Sequence, residues 1–74
     1  MQCYRLTSRL GGARTYWVLA RNDRDARRFA ALNIPGAEGA ERIEDFCCVV
    51  DRTKAPPVGF IQPDDGELIA IERL

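Results

Sequence analysis

The feature that most constrains the fold is one helix-like segment in a chain whose other patterned segments resemble strands. The stretch "RNDRDARRFAAL", residues 21–32, contains Asn22, which suits a helix N-cap, and precedes Pro35-Gly36, which stops a helix. Asp23 and Asp25 favour the positive end of its dipole, and Asn33 is a candidate C-terminal cap. A lone amphipathic helix must bury its apolar side against something else.

The two sides of this helix differ in chemistry. At about 100° per residue, one side carries Ala26, Phe29, Ala30 and Asn33. The arginines gather on the other side and are expected to face water: Arg21, Arg24, Arg27 and Arg28. Asp23 with Arg27 and Asp25 with Arg28 have the spacings of helical ion pairs, so part of the arginine row is explained without any ligand.

Two strands are predicted before the helix. In "QCYRLTSR" Tyr4 and Leu6 alternate with polar residues, as in a half-buried strand, and Gly11-Gly12 signals a turn. The next stretch, "RTYWVLA", has apolar side chains at both alternating positions, with Trp17 and Leu19 on one face. This pattern predicts a β-hairpin whose second strand either is central in a sheet or has one face covered by a helix and the other by a partner.

Three more strands are predicted after the helix. The acidic stretch "PGAEGAERIED" is interpreted as a loop or a short irregular turn with Ile43 as its one anchor candidate, and "FCCVV" as a strand buried on both faces. Pro56-Pro57 predicts an extended connector, and the final hairpin turns at Asp65-Gly66, with Gly66 in a left-handed conformation.

The sequence therefore predicts an α+β fold of ββαβββ order, with a single antiparallel sheet and one helix packed on one face. A chain of 74 residues is expected to form one compact domain, residues 1–74. On this prediction no other segment of the chain covers the second face of the sheet.

Several classes of protein are disfavoured. The longest apolar run, "FCCVV", is far shorter than the roughly 18 to 20 residues of a membrane helix. The start "MQCYRL" lacks the pattern of a signal peptide, so a cytoplasmic protein without a membrane association is expected.

The residues that carry most enzyme chemistry are missing or badly placed. The three cysteines are an odd number without CxxC spacing, and there is no histidine, so neither a disulfide framework, a metal site nor a cofactor site is predicted. A catalytic thiol or serine would have no histidine base, and Cys47 and Cys48 are expected to be small core residues. The chain is expected not to be an enzyme, although a reactive thiol stays open as a third reading.

Charge is divided along the chain although the total is zero. Residues 1–37 carry seven basic and two acidic side chains, whereas residues 38–74 carry four basic and nine acidic ones. Such a division favours charge-complementary partners or copies of the same chain, unless folding mixes the two signs. Arginines with neighbouring aromatic residues also suit nucleic acid, although a pI near 6.2 is low for that class.

The order of an initial hairpin, the lone helix "ARNDRDARRFAAL", the strand "FCCVVDR" and a terminal hairpin resembles that of some phage-encoded and mobile-element inhibitors, including small anti-CRISPR proteins. The resemblance covers most of the chain by order of elements, and no motif carries it. It implies a stoichiometric inhibitor whose charged face blocks a site on a larger nuclease or surveillance complex. It transfers no functional residue.

The function predicted from the sequence is thus a non-enzymatic protein-binding module, an inhibitor or adaptor with a charged contact surface. The alternative is a nucleic-acid-binding module that uses the arginine-rich helix face. A homodimer through the open sheet face or a sheet edge is a further expectation. The predicted partner-binding residues are Arg21, Arg24, Arg27, Arg28, Arg5, Arg9, Glu41, Glu44 and Asp45.

Overall fold

A computed structural model of the chain describes residues 1–8, 14–34 and 43–74. Its elements follow the predicted ββαβββ order, with one additional short 3₁₀ helix before the third strand. The strands are β1 (Gln2–Ser8), β2 (Thr15–Ala20), β3 (Phe46–Val50), β4 (Phe60–Pro63) and β5 (Ile69–Ala70), and the helices are α1 (Asp23–Asn33) and the 3₁₀ helix Ile43–Asp45. The turn predicted at Gly11-Gly12 lies outside the described residues, and so do residues 35–42 of the predicted loop, whose last three residues form the 3₁₀ helix.

The five strands form one sheet in the order β3-β1-β2-β4-β5, with every neighbouring pair antiparallel. The α+β class, the single antiparallel sheet and the central position of β2 are therefore confirmed. The helix connects β2 to β3, so the chain must cross β1 on one face of the sheet between these two strands.

The helix covers the sheet face that carries Tyr4, Leu6 and Val18. Ala26 and Ala30 of α1 are fully buried against this face, and Phe29 packs at its margin, as the helical period predicts. The largest fully buried side chains are all contributed by strands: Leu6, Val18, Phe46 and Ile61. Small residues on the helix let its backbone approach these larger side chains closely.

Strand β3 is not buried on both faces, so that prediction was wrong. It lies at an edge of the sheet and pairs only with β1 among the described strands. Phe46 is buried, but Cys47 is exposed, and Val49 and Val50 are 48% and 51% exposed. A continuous apolar run is typical of an interior strand, and here it forms a border instead.

The second sheet face is also partly covered, contrary to the prediction. Residues 51–58 lead from β3 to β4, which lie on opposite sides of β1 and β2 in the sheet. The Cys3 thiol donates to the Lys54 carbonyl at 3.2 Å, and the Lys54 ammonium lies 4.7 Å from the centre of the Trp17 ring. Trp17 is consequently only 8% exposed, although it points away from α1.

The last residues are tied to the end of the helix by Asn33. Its amide nitrogen donates to the carbonyls of Phe29 and Arg73, and its amide oxygen accepts from the backbone N–H groups of Glu72 and Arg73, all at 2.8–2.9 Å. The helix cap position is occupied by Ile34 rather than by Asn33. Asn33 therefore fastens the C-terminal segment to α1.

The turn before β5 contains a glycine with positive φ, as predicted. Gly66 has φ of 122°, beyond the ordinary left-handed helical region but still unfavourable for a residue with a side chain. This turn fixes the antiparallel pairing of β4 with the short strand β5.

Candidate functional site

The first turn of α1 fixes the orientation of the arginine-bearing side. The Asn22 side chain accepts from the Asp25 backbone N–H at 2.8 Å, which confirms Asn22 as the N-cap. The helix then runs without interruption to Asn33. Because the buried alanines face the sheet, the residues on the far side of this rod project away from it.

Asp25 holds two of the predicted arginines. Its carboxylate lies 3.5 Å from the Arg21 guanidinium and 3.9 Å from that of Arg28, and Asp25 itself is only 16% exposed. Arg21 lies largely in solvent and Arg28 is partly exposed, so each ion pair contributes roughly 0.2–1 kcal/mol. We call the outward row Arg21, Arg24 and Arg28, with Asp25 beneath it, the helix arginine surface.

Arg27 was predicted to face water, but its guanidinium is bound within the fold. Its Nε donates to Asp23 at 2.6 Å, and its Nη1 donates to the Phe46 carbonyl at the start of β3, at 2.7 Å. The side chain is only 24% exposed, and the hydrogen bond to Asp23 raises the pKa of Arg27 above its ordinary value. Arg27 is therefore a structural tie between α1 and β3, since both ends of its guanidinium are occupied within the fold.

Arg24 differs from the other helix arginines. It is exposed, and it has no ion-pair partner within the parts of the chain that the structure describes. It also lies four residues before Arg28, an arrangement in which two like charges destabilise a helix by a few tenths of a kcal/mol. Helix stability alone therefore gives no reason for an arginine at this position.

The remaining predicted residues are not all brought to this surface. Arg5 points to the opposite sheet face, where its Nη1 binds Asp51 at 3.0 Å, so Arg5 does not extend the helix row. Glu44 and Asp45 form the 3₁₀ helix directly before β3, close to the helix. Arg9 and Glu41 lie outside the described residues.

Residues 51–58 create a polar cluster that sequence reasoning missed. The Asp51 carboxylate accepts hydrogen bonds from both the hydroxyl and the backbone N–H of Thr53. The bond from the hydroxyl contributes most to lowering the pKa of Asp51, and the bond from the backbone N–H lowers it further. The Trp17 indole N–H is near enough to Asp51 to add to this effect, yet it has no hydrogen bond of good geometry in the described structure. The alternation along the first two strands places Trp17 beside Arg5 on the sheet face opposite α1. A large aromatic side chain on that face was the sequence signal that another segment covers it.

The environments of Cys3 and Cys48 disfavour the thiolate, which is the nucleophilic form of cysteine. Burial, followed by the nearby Asp23 charge, raises the pKa of Cys48 to about 11, and burial also raises the pKa of Cys3. Cys47 is exposed rather than a core residue, because it alternates with Phe46 and Cys48 and points away from α1. With a pKa near 11, the Cys48 thiol is almost entirely protonated near neutral pH.

An apolar hollow of about 210 Å³ lies where the sheet, the helix and the C-terminal segment meet. It is lined by Met1, Leu19, Phe29, Val58, Gly59, Ile71 and Leu74. No charged side chain is among these lining residues.

Other kinds of site find no support in the described residues. Within them, no group of three or more Cys, Asp or Glu side chains could hold a metal ion, and no helix has the length and hydrophobicity to span a membrane. Comparisons of the chain with protein-family models, with curated proteins and with solved structures find no match.

Proposed function

We propose that this chain is a non-enzymatic protein-binding module, an inhibitor or adaptor that occupies a site on a larger protein or nucleoprotein complex through the helix arginine surface. The observation that carries the proposal is the state of Arg24, which is exposed, has no ion pair among the described residues and lies beside Arg28. Arginine is enriched at the energetic centres of protein interfaces because its planar guanidinium binds carboxylates in two places at once.

The mixed charge of this surface supports a protein partner over nucleic acid. Asp23 and Asp25 lie among the arginines, and Asp23 is about half exposed. These carboxylates offset part of the positive charge that would attract a phosphate backbone, whereas a protein surface can match both signs. The withdrawal of Arg27 into the fold removes one further cation from a phosphate-binding row.

Charge reversal tests the proposal. The double variant Arg24→Glu, Arg28→Glu removes two of the three guanidinium groups of the helix arginine surface and replaces no buried side chain. We expect it to keep the circular dichroism spectrum of the wild type and to lose the proteins that the wild type captures from an extract of its source cells. Arg14→Glu with Arg73→Glu is the matched control, since both residues are exposed and lie off the helix.

The outcomes separate the two candidate functions. Retention of the captured proteins by the helix variant, at wild-type yield, would refute the role of this surface. Direct binding to nucleic acid would instead appear as a mobility shift that weakens steeply with salt, because phosphate contacts release counterions. We expect no such shift by the purified wild type at low salt.

A further inference from the structure

The outer side of β3 has backbone groups that are open for pairing. The Asp51 N–H donates to the Cys3 carbonyl at 2.9 Å, so Cys3 and Asp51 form a hydrogen-bonded pair of the antiparallel ladder. Such pairs alternate along the strands. Val49 and Cys47 therefore direct their backbone groups towards β1, while Phe46, Cys48 and Val50 direct theirs outward.

Among these outward backbone groups, the Phe46 carbonyl is already hydrogen-bonded, and those of Cys48 and Val50 are available for pairing. The Phe46 carbonyl accepts from Arg27, whereas the outward groups of Cys48 and Val50 have no partner among the described residues. Next to them, Val49 and Val50 are about half exposed. The strand contains no proline, lysine or other charged residue, which are the devices that usually protect an edge.

The opposite edge is protected. Strand β5 has only two residues, and the next N–H groups, those of Glu72 and Arg73, are bound by Asn33. Pairing through β3 therefore consumes the one long edge of the described sheet. A complex formed in this way stops at two copies instead of growing into a filament.

We propose that two copies of this chain pair antiparallel through β3 and form one continuous sheet. With the two-fold axis at Val49, Cys48 of each copy lies opposite Val50 of the other, and these residues exchange four backbone hydrogen bonds without disturbing the Arg27 contact. Val49 then faces its own equivalent across the axis, and the two half-exposed valines cover each other. The proposal does not depend on the proposed function.

Charge supports a second copy as the occupant. Glu44 lies before the strand, and Asp51 and Arg52 follow it. Asp51 is bound by Arg5 and Thr53. Within the described part of the chain, Arg52 contacts only the neutral Gln2 side chain, at 3.5 Å. Antiparallel pairing with an identical strand brings the Arg52 end of each copy to the acidic end of the other. A parallel arrangement would place like charges together.

This geometry has a consequence for binding. A two-fold axis perpendicular to the sheet puts both helices on the same side of the combined sheet, because α1 covers only one face of each copy. The dimer would then present two helix arginine surfaces to one partner. If the proposed function holds, binding through both surfaces gives an avidity that a single copy lacks.

Sedimentation velocity tests the dimer. We expect the wild type to shift from monomer to dimer between about 1 µM and 1 mM, the range of weak to moderate association. Val49→Lys should stay monomeric throughout, because two like charges would meet at the axis in an exposed position that costs the monomer little. Leu68→Lys, a substitution at a similarly exposed position beside the other edge, should dimerise as the wild type does.

A cross-link tests the register. Non-hydrogen-bonded antiparallel pairs bring Cα atoms within about 4.5 Å, a separation that a disulfide can bridge. Val49→Cys in a Cys47→Ser, Cys48→Ser background should therefore form a covalent dimer on oxidation, and Leu68→Cys in the same background should not. A monomeric wild type over the whole range, a Val49→Lys variant that dimerises normally, or equal cross-linking at both positions would overturn the proposal.

Discussion

The two edges of the sheet are finished in different ways. At the β5 edge the strand is short, and Asn33 binds the backbone of the residues that follow it. At the β3 edge the strand is anchored from inside by Phe46 and from the helix by Arg27, but its outward groups at Cys48 and Val50 have no partner among the described residues. One edge is closed by the chain itself, and the other is rigidly held yet open.

This difference shows that an exposed apolar strand need not be a weakly held one. Phe46 is 1% exposed and belongs to the same buried cluster as Leu6 and Val18. The strand is thus fixed in position while its outer side stays accessible. Such pre-organisation lowers the entropic cost of pairing with another strand.

The largest expected effect is at the anchor of the open edge. Phe46→Ala should reduce the free energy of unfolding by about 3–5 kcal/mol, because it removes a fully buried aromatic side chain and leaves a cavity. Chemical denaturation measures this loss, with Ile69→Ala, partly buried on β5, as the milder comparison. A loss below about 1 kcal/mol for Phe46→Ala would show that β3 is not anchored in the core.

A smaller effect is expected at the closed edge. Asn33→Ala should cost about 1–3 kcal/mol and speed the hydrogen exchange of the Glu72 and Arg73 amides, because it removes their acceptor. Asn33→Asp keeps that acceptor and loses the two donated bonds, so its exchange rates should change less. Equal exchange in all three proteins would mean that Asn33 does not close this edge.

The smallest effect concerns the thiol at the open edge. Since the pKa of Cys48 is raised to about 11 from an ordinary 9.0, the folded state favours the neutral thiol. The corresponding stability is fully present below pH 9 and is lost as the pH rises towards 11. Unfolding measured against pH should therefore show a steeper alkaline loss for the wild type than for Cys48→Ser, and parallel curves would contradict the assignment.

Local patterns were sufficient to predict most of the fold. The alternation of Tyr4 and Leu6, the Asn22 cap and the Asp65-Gly66 turn are short-range signals, and the order of elements followed from them. The position of β3 in the sheet could not be predicted from such signals, because the sequence "FCCVV" is compatible with a strand inside a sheet and with one at its edge. Strand order depends on contacts between distant segments, and so does the placement of residues 51–58 over Trp17.

The helix arginines were predicted as a group, and the structure divides them. At about 100° per residue, Arg27 lies on the flank of the buried stripe while Arg24 lies opposite to it, so the helical period contained a hint of this division. The acceptor of Arg27, however, is a backbone carbonyl of β3, 19 residues away. Nothing in the helix sequence identifies that acceptor. The partner-binding role of the helix arginine surface stays a prediction.

The most direct test of the open edge is residue-specific hydrogen exchange as a function of protein concentration. The amides of Cys48 and Val50 should exchange quickly in dilute protein and become protected as the concentration rises, while the inward amide of Val49 and that of Glu72 should change much less. Exchange at Cys48 and Val50 that is independent of concentration would contradict pairing through β3.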